Sequence, residues 1–102
     1  MEYRKITIND KFYPQKLIDI KNPPQQLFIA GNIDLLNENS IAVIGSRDCS
    51  NYGKEITKKI VTELALRNIC IVSGMAIGID SIAHISALDV CGKTVAVLRK
   101  WI

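Results

Sequence analysis

The chain has 102 residues, of which 48% are hydrophobic and 23% charged. This length and composition predict one packed domain or a piece of one, and exclude a two-domain enzyme and a disordered chain. The net charge of +3 arises after residue 40, because residues 1–40 carry five basic and five acidic side chains. This mild excess permits a polyanionic partner without requiring one. No apolar run approaches the roughly 18 residues of a membrane span and no signal-peptide core is present, so we expect a cytoplasmic protein that does not insert into membranes.

Residues 1–39 form the first region, which prolines and a glycine divide into short pieces. Breaks at Tyr13-Pro14, Pro23-Pro24 and Gly31-Asn32 separate a short helix, a turn and an extended stretch at 27–29. We expect this region to be an N-terminal cap segment and not a second domain, with Phe28 in a hydrophobic core.

Residues 40–102 contain three short apolar runs, at 41–45, 69–73 and 94–98. Each is too short for a helix and apolar on both faces, which is typical of a buried parallel strand. Between the first two runs, Ile56 and Ile60 recur at helical spacing with Val61 and Leu64, which predicts an inward face on a helix over 52–68.

The ends of the two predicted helices carry recognisable signals. Ser50 is a suitable N-cap for the first helix and Asn68 a suitable stop. The second helix spans 79–91, and Gly92 stands where helices often end in a left-handed residue.

The resulting order is β-α-β-α-β, with strand starts 28 and 25 residues apart, as in βαβ units of about 30 residues. We therefore predict an α/β fold, namely half of a Rossmann-like three-layer arrangement with a parallel sheet. Right-handed crossovers and a spatial strand order 3-2-1 place both helices on one face of the sheet. The opposite face then needs a cover from the N-terminal segment, a partner chain or further sequence.

Two loops follow the first two strands and share the crevice at the carboxyl edge of the sheet, where ligands bind in open α/β folds. The first loop carries Gly45, Ser46 and Arg47, and the second runs from Ser73 and Gly74 to Gly78. Glycines allow close backbone approach, helix-opening N–H groups favour anions, and arginine offers a bidentate fork. A phosphate group is the predicted ligand, and the alternative is that these glycines only form tight turns.

Three further residues accompany the crevice as supporting residues. His84 lies four residues after Asp80, so the carboxylate can orient the imidazole on one helix face, cap the helix or brace the second loop. A structural role for this pair is favoured over catalysis, because no GxSxG or HExxH motif accompanies it. Tyr52 is the one aromatic ring expected near the crevice, and a helix-cap packing role is the favoured interpretation.

The motifs that the sequence lacks narrow the range of possible ligands. The sequence has no GxGxxG after the first strand and no GxxxxGK[ST], so nicotinamide and P-loop nucleotide binding lack their parts. Its three cysteines show no CxxC spacing, which favours reduced thiols over a zinc site. We expect neither a cofactor nor a metal.

Seven motif pieces, in this order and spacing, make the chain resemble the DNA-processing protein A family (DprA/Smf) over roughly residues 12 to 98. The pieces are Tyr13-Pro-x-x-Leu17, Pro23-Pro24-x-x-Leu27-Phe28-x-x-Gly31-Asn32, Val43-Ile-Gly-Ser-Arg47, Ser50-x-Tyr52-Gly53, Val72-Ser-Gly74-x-Ala76-x-Gly78-Ile-Asp80, Ala83-His84 and Thr94-Val-Ala-Val-Leu98.

The resemblance implies a single-stranded-DNA-binding protein that is not an enzyme and acts in natural transformation with the RecA recombinase as partner. It also implies that Arg47 contacts the DNA backbone and that a homodimer is an oligomer to test. Family members continue into a second half of the sheet with a Phe-Pro-x-Arg-Asn-Arg stretch, so we expect this chain to be a truncated member with weak, salt-sensitive and non-selective DNA affinity.

Two alternatives stay open at this stage. One is a Lonely-guy-like phosphoribohydrolase using the same crevice, although that group's PGGxGTxxE motif is missing. The other is a non-functional fragment that needs a partner to remain in solution.

Overall fold

The computed structural model describes residues 3–98, which divide between residues 38 and 39 into two compact units. In the first unit, strand β1 (Arg4–Thr7) pairs antiparallel with strand β2 (Gln26–Ile29), so that Arg4 lies opposite Ile29. Helix α1 (Gln15–Ile18) and a 3₁₀ helix (Ile33–Asn37) complete the unit.

A small hydrophobic core holds the first unit, built on the buried residues Ile6, Tyr13 and Ile33. The phenol of Tyr13 is fully buried and donates a hydrogen bond to the Pro24 carbonyl at 2.7 Å, which satisfies the one polar atom of the ring. The expectation that Phe28 lies in a core is wrong. Strand β2 alternates, so Leu27 and Ile29 turn inward while Phe28 is exposed and packs edge to face on Tyr3.

The second unit confirms the predicted β-α-β-α-β order. Its elements are β3 (Ser40–Ala42), α2 (Asn51–Leu66), β4 (Cys70–Ser73), α3 (Ile79–Asp89) and β5 (Thr94–Ala96). The three strands form a parallel sheet in the order β3-β4-β5, as the 3-2-1 arrangement requires.

Both helices of the second unit pack on the same face of the sheet, as predicted. A single core cluster joins Val61 and Ala65 of α2, Ala83 and Ala87 of α3, and Ile71 of the central strand β4. Ile71 is fully buried. The alanines allow the two helices to approach closely over the sheet.

Helix α2 begins as predicted, since the Ser50 hydroxyl accepts a hydrogen bond from the Gly53 N–H at 3.0 Å. Its predicted inward face is partly wrong, because Ile56 and Ile60 are exposed. The buried stripe runs through Val61 and Ala65, and one residue along a helix turns about 100°, so Ile60 points away from the core.

The end of α3 also differs from the expectation. Cys91, and not Gly92, adopts the left-handed conformation, with φ 56°. The Gly92 N–H donates to Ala87 O at 2.8 Å and the Cys91 N–H donates to Leu88 O at 3.0 Å, which is the hydrogen-bond pattern of a Schellman cap. Gly92 is required for another reason: a Cβ there would lie 2.7 Å from the Cβ of Ala65.

Within residues 3–98, no helix combines the length and the apolar character needed to cross a membrane.

Candidate nucleic-acid interface

The two glycine-bearing loops meet at the carboxyl edge of the sheet. Gly78 has a φ of +90°, and a Cβ on it would collide with the carbonyl oxygens of Ser46 and Arg47. The N–H of Ile79, the first residue of α3, donates to the Ser46 carbonyl at 3.3 Å. The structure therefore brings the predicted loop residues together and fixes the first loop against the start of α3.

The side chain of Ile79 sets the position of the first loop. A Cβ on Gly45 would lie 2.7 Å from Ile79 Cγ1, and one on Gly53 would lie 3.9 Å from Ile79 Cδ1. One isoleucine thus lies close to Gly45, three residues after β3, and near Gly53 in the first turn of α2. The loop between these two elements, which carries Arg47, is anchored at both ends.

Arg47 is the cationic residue of this loop, and its side chain is exposed. Its guanidinium has no hydrogen bond or ion pair with any residue that the structure describes. The exposed Ser46 closes a local turn, because its hydroxyl accepts the Asp48 N–H at 3.1 Å and lies 3.2 Å from the Asp48 carbonyl. The loop backbone is therefore ordered while the guanidinium stays available.

The second loop is braced from within. Ser73 is buried and its hydroxyl donates to the Val43 carbonyl, which ties β4 to the chain that leaves β3. The Gly74 N–H donates to Asp80 Oδ2 at 3.0 Å, and Asp80 is itself buried. The Ser73 hydroxyl and the Gly74 N–H, which the sequence predicted as phosphate ligands, are thus hydrogen-bonded within the protein. The negative charge of the Asp80 carboxylate beside them disfavours the binding of an anion. Bracing of this loop was one of the three roles that the sequence left open for Asp80.

His84 is held by a residue that sequence reasoning missed. Its Nδ1 lies 2.7 Å from Thr94 Oγ1, and the Thr94 hydroxyl donates to the Ile71 carbonyl at 2.9 Å. The threonine proton is used in that bond, so His84 Nδ1 is the donor in the other. The imidazole therefore joins α3 to β4 and β5, and Asp80 does not hydrogen-bond it.

The protonation state of His84 follows from its surroundings. Its Nε2 is buried without a hydrogen-bond partner among the described residues. Burial lowers the pKa of His84 below 6.5, and the charge of Asp80 opposes this shift. The imidazole is neutral at pH 7, and its one N–H proton, on Nδ1, is donated to Thr94. No proton of this ring is therefore available to a substrate.

Tyr52 does not have the packing role that the sequence favoured. It lies in the first turn of α2, and 76% of its surface is exposed to solvent. This turn follows the loop that carries Arg47 at the carboxyl edge of the sheet, and the ring is open to solvent.

A three-stranded parallel sheet with both helices on one face and an exposed arginine in the loop after its first strand places the chain among Rossmann-like α/β proteins. The sequence model of the family described as DNA recombination-mediator protein A matches residues 4–101. The chain belongs to this family. DNA processing protein DprA of Streptococcus pneumoniae is 42% identical over 97 residues, which are 95% of this chain and 34% of that relative.

Two solved structures share the fold. The X-ray structure of DprA from Streptococcus pneumoniae superposes with a TM-score of 0.87 at 43% identity, covering 95% of this chain and 34% of that one. DprA from Helicobacter pylori, whose structure is described for its single-stranded DNA binding mode, gives a TM-score of 0.82 at 33% identity, with 95% and 42% covered. The predicted family and Rossmann-like fold are confirmed, and the phosphoribohydrolase alternative is not favoured.

Proposed function

We propose that this chain binds single-stranded DNA through the Arg47 loop and contributes a backbone-contacting part to a DprA-type DNA-processing protein. The observation that carries the proposal is the exposed Arg47 guanidinium, unpaired among residues 3–98, on a loop anchored by Ile79 and Gly78. The single-stranded DNA binding mode described for the Helicobacter pylori protein, which shares the fold, supports the same class of ligand.

The chemistry of the loop favours a phosphate group. Guanidinium binds phosphate oxygens with two parallel hydrogen bonds, and the charge is not lost at any physiological pH. The exposed backbone at Gly45 and Ser46 leaves room for a strand to approach. Gly78 packs against the backbone of Ser46 and Arg47, while Gly74 is held by Asp80 and the Ser73 hydroxyl joins β4 to the chain that leaves β3. Phosphate contacts carry no base information, so binding tolerates any sequence.

Fluorescence anisotropy with an oligo-dT strand tests this proposal. Arg47→Ala is expected to weaken binding at low salt by roughly 5- to 30-fold, the effect of about 1–2 kcal/mol for a charged hydrogen bond near solvent. Arg67→Ala is the matched control, because Arg67 is also exposed but follows the last residue of α2, about 24 Å along the helix from its first turn.

The control variant is expected to bind as the unmodified chain does. No binding by the unmodified chain at low salt, or equal losses in the two arginine variants, would show that the Arg47 loop is not a specific contact.

We further propose the RecA recombinase as a protein partner and a homodimer as the working oligomer, with a role in natural transformation and no catalytic activity. The description of the family as a recombination mediator supports this assignment. Sedimentation at several concentrations tests the dimer, and RecA filament assembly on oligo-dT, with and without the chain, tests the partnership.

A further inference from the structure

Tyr52 is an exposed aromatic ring without a packing role among the described residues. It has no hydrogen bond or ring contact with another described residue, although 76% of its surface is exposed. Burying a tyrosine ring is favourable, so a ring left in water beside a ligand crevice has apolar area to offer to a ligand. The first turn of α2 does not need the ring, because the Ser50 cap and the Gly53 N–H already close it.

The position of the ring relative to Arg47 is fixed by the same contacts that order the loop. Tyr52 follows Arg47 by five residues, and the segment between them ends in the Ser50 cap. The side chain of Ile79 lies close to Gly45, which precedes Arg47, and near Gly53, which follows Tyr52. The guanidinium and the ring therefore lie on one anchored segment at the carboxyl edge of the sheet.

We propose that the Tyr52 ring is a base-stacking platform for the strand whose phosphate Arg47 holds. The inference rests on the proposed function, since it names a second contact of the same ligand at the same site. A flat ring and a cation on one segment match the alternation of base and phosphate in a single strand. Stacking accepts every base because each has a π-face, so the platform preserves the lack of sequence preference.

Anisotropy with two strands of equal length and charge tests the inference, one of oligo-dT and one of abasic deoxyribose phosphate. Tyr52→Ala is expected to bind oligo-dT roughly 5-fold or more weakly, and the abasic strand as the unmodified chain does. Tyr52→Phe keeps the ring and is expected to bind both strands normally. Ile60→Ala, on the same helix and 52% exposed, is the matched control for loss of apolar surface.

Each outcome separates this inference from the function on which it rests. If Arg47→Ala weakens binding while Tyr52→Ala binds oligo-dT normally, the stacking role is overturned and the function stands. Equal losses on both strands in Tyr52→Ala overturn it as well, because they show a backbone contact. A chain that binds neither strand overturns both proposals. Circular dichroism melting of each variant confirms that the substitutions leave the fold intact.

Discussion

Replacing Gly78 with alanine is expected to destabilise the unit that contains the parallel sheet, because two separate costs fall on this one position. The backbone at Gly78 has φ 90° and ψ −133°, a region that side-chain-bearing residues rarely adopt. A Cβ there would also lie 2.7 Å from the Arg47 carbonyl oxygen and 2.8 Å from Arg47 Cα, and would collide with the Ser46 carbonyl. These atoms are backbone, so they cannot rotate away.

The two costs are of similar size. The strained backbone accounts for about 1–3 kcal/mol, and forced overpacking against rigid neighbours for about 1–3 kcal/mol more. A sum of about 2–6 kcal/mol is a large share of the roughly 5–15 kcal/mol that stabilises a domain. Since 1 kcal/mol shifts the melting temperature of a small domain by about 4–8 °C, we expect Tm to fall by about 10 °C or more.

Thermal and urea denaturation followed by circular dichroism measure this effect, with Gly53→Ala as the matched control in the same unit. At Gly53 the added Cβ meets Ser50 Oγ at 3.4 Å, an ordinary contact, and φ is not positive. Alanine is a better helix former than glycine by about 0.5–1 kcal/mol, so this variant is expected to melt at the same temperature or higher. If Gly78→Ala melted with the unmodified chain, the close approach of the two loops would be refuted.

Two further predictions concern the sheet and its histidine. Folding holds the pKa of His84 below its ordinary 6.5, so the unfolded chain binds more protons than the folded chain as the pH falls. The contribution of His84 to the free energy of unfolding is therefore fully present above about pH 6.5 and is lost as the pH falls below it. Urea denaturation at pH 7.5 and 5.5 is expected to show this loss, and a smaller one in His84→Gln; an equal loss in both would place its origin elsewhere. Ile71→Ala, at a fully buried position, is expected to cost about 2–5 kcal/mol, whereas Ile44→Ala, 76% exposed, stays within about 0.5 kcal/mol. Similar costs at the two positions would contradict the assigned core.

The sequence predicted the parts of the fold that depend on local patterns. Three apolar runs marked the strands of the second unit, the Ser50 cap marked the start of α2, and strand spacing with the handedness rule placed both helices on one face. Strand β1 was missed, although residues 5–9 alternate between polar and apolar side chains, because the stretch is short and only Ile6 of the strand's four residues is buried. It exists through pairing with β2, about 20 residues later in the chain, and pairing at that distance leaves no local signal.

The candidate site could also be predicted only where it depends on local sequence patterns. Glycine positions and Arg47 could be found from strand-to-loop junctions, because sheet topology alone brings those junctions together. The bonds that decide which groups remain available could not. The link from His84 to Thr94 joins α3 to β5, and the bond from Gly74 to Asp80 depends on how α3 leaves its loop. Both are consequences of tertiary packing, which the order of residues does not show.

The salt dependence of binding counts the cationic contacts that the chain makes with phosphate groups. The second loop is braced by the carboxylate of Asp80, and Arg47 is the cationic side chain that these two loops carry. For single strands, log K falls with log [salt] by about 0.7 for each phosphate contact. With Arg47 alone, binding weakens only about 2.6-fold between 50 and 200 mM salt, since 4 raised to the power 0.7 is about 2.6. Stacking on Tyr52 adds affinity without adding slope, because no counterion is released from a base. A slope near −0.7 that vanishes in Arg47→Ala would therefore identify one phosphate contact, whereas a slope several times steeper would mean that lysines of α2, such as Lys54 and Lys58, also lie along the path of the strand.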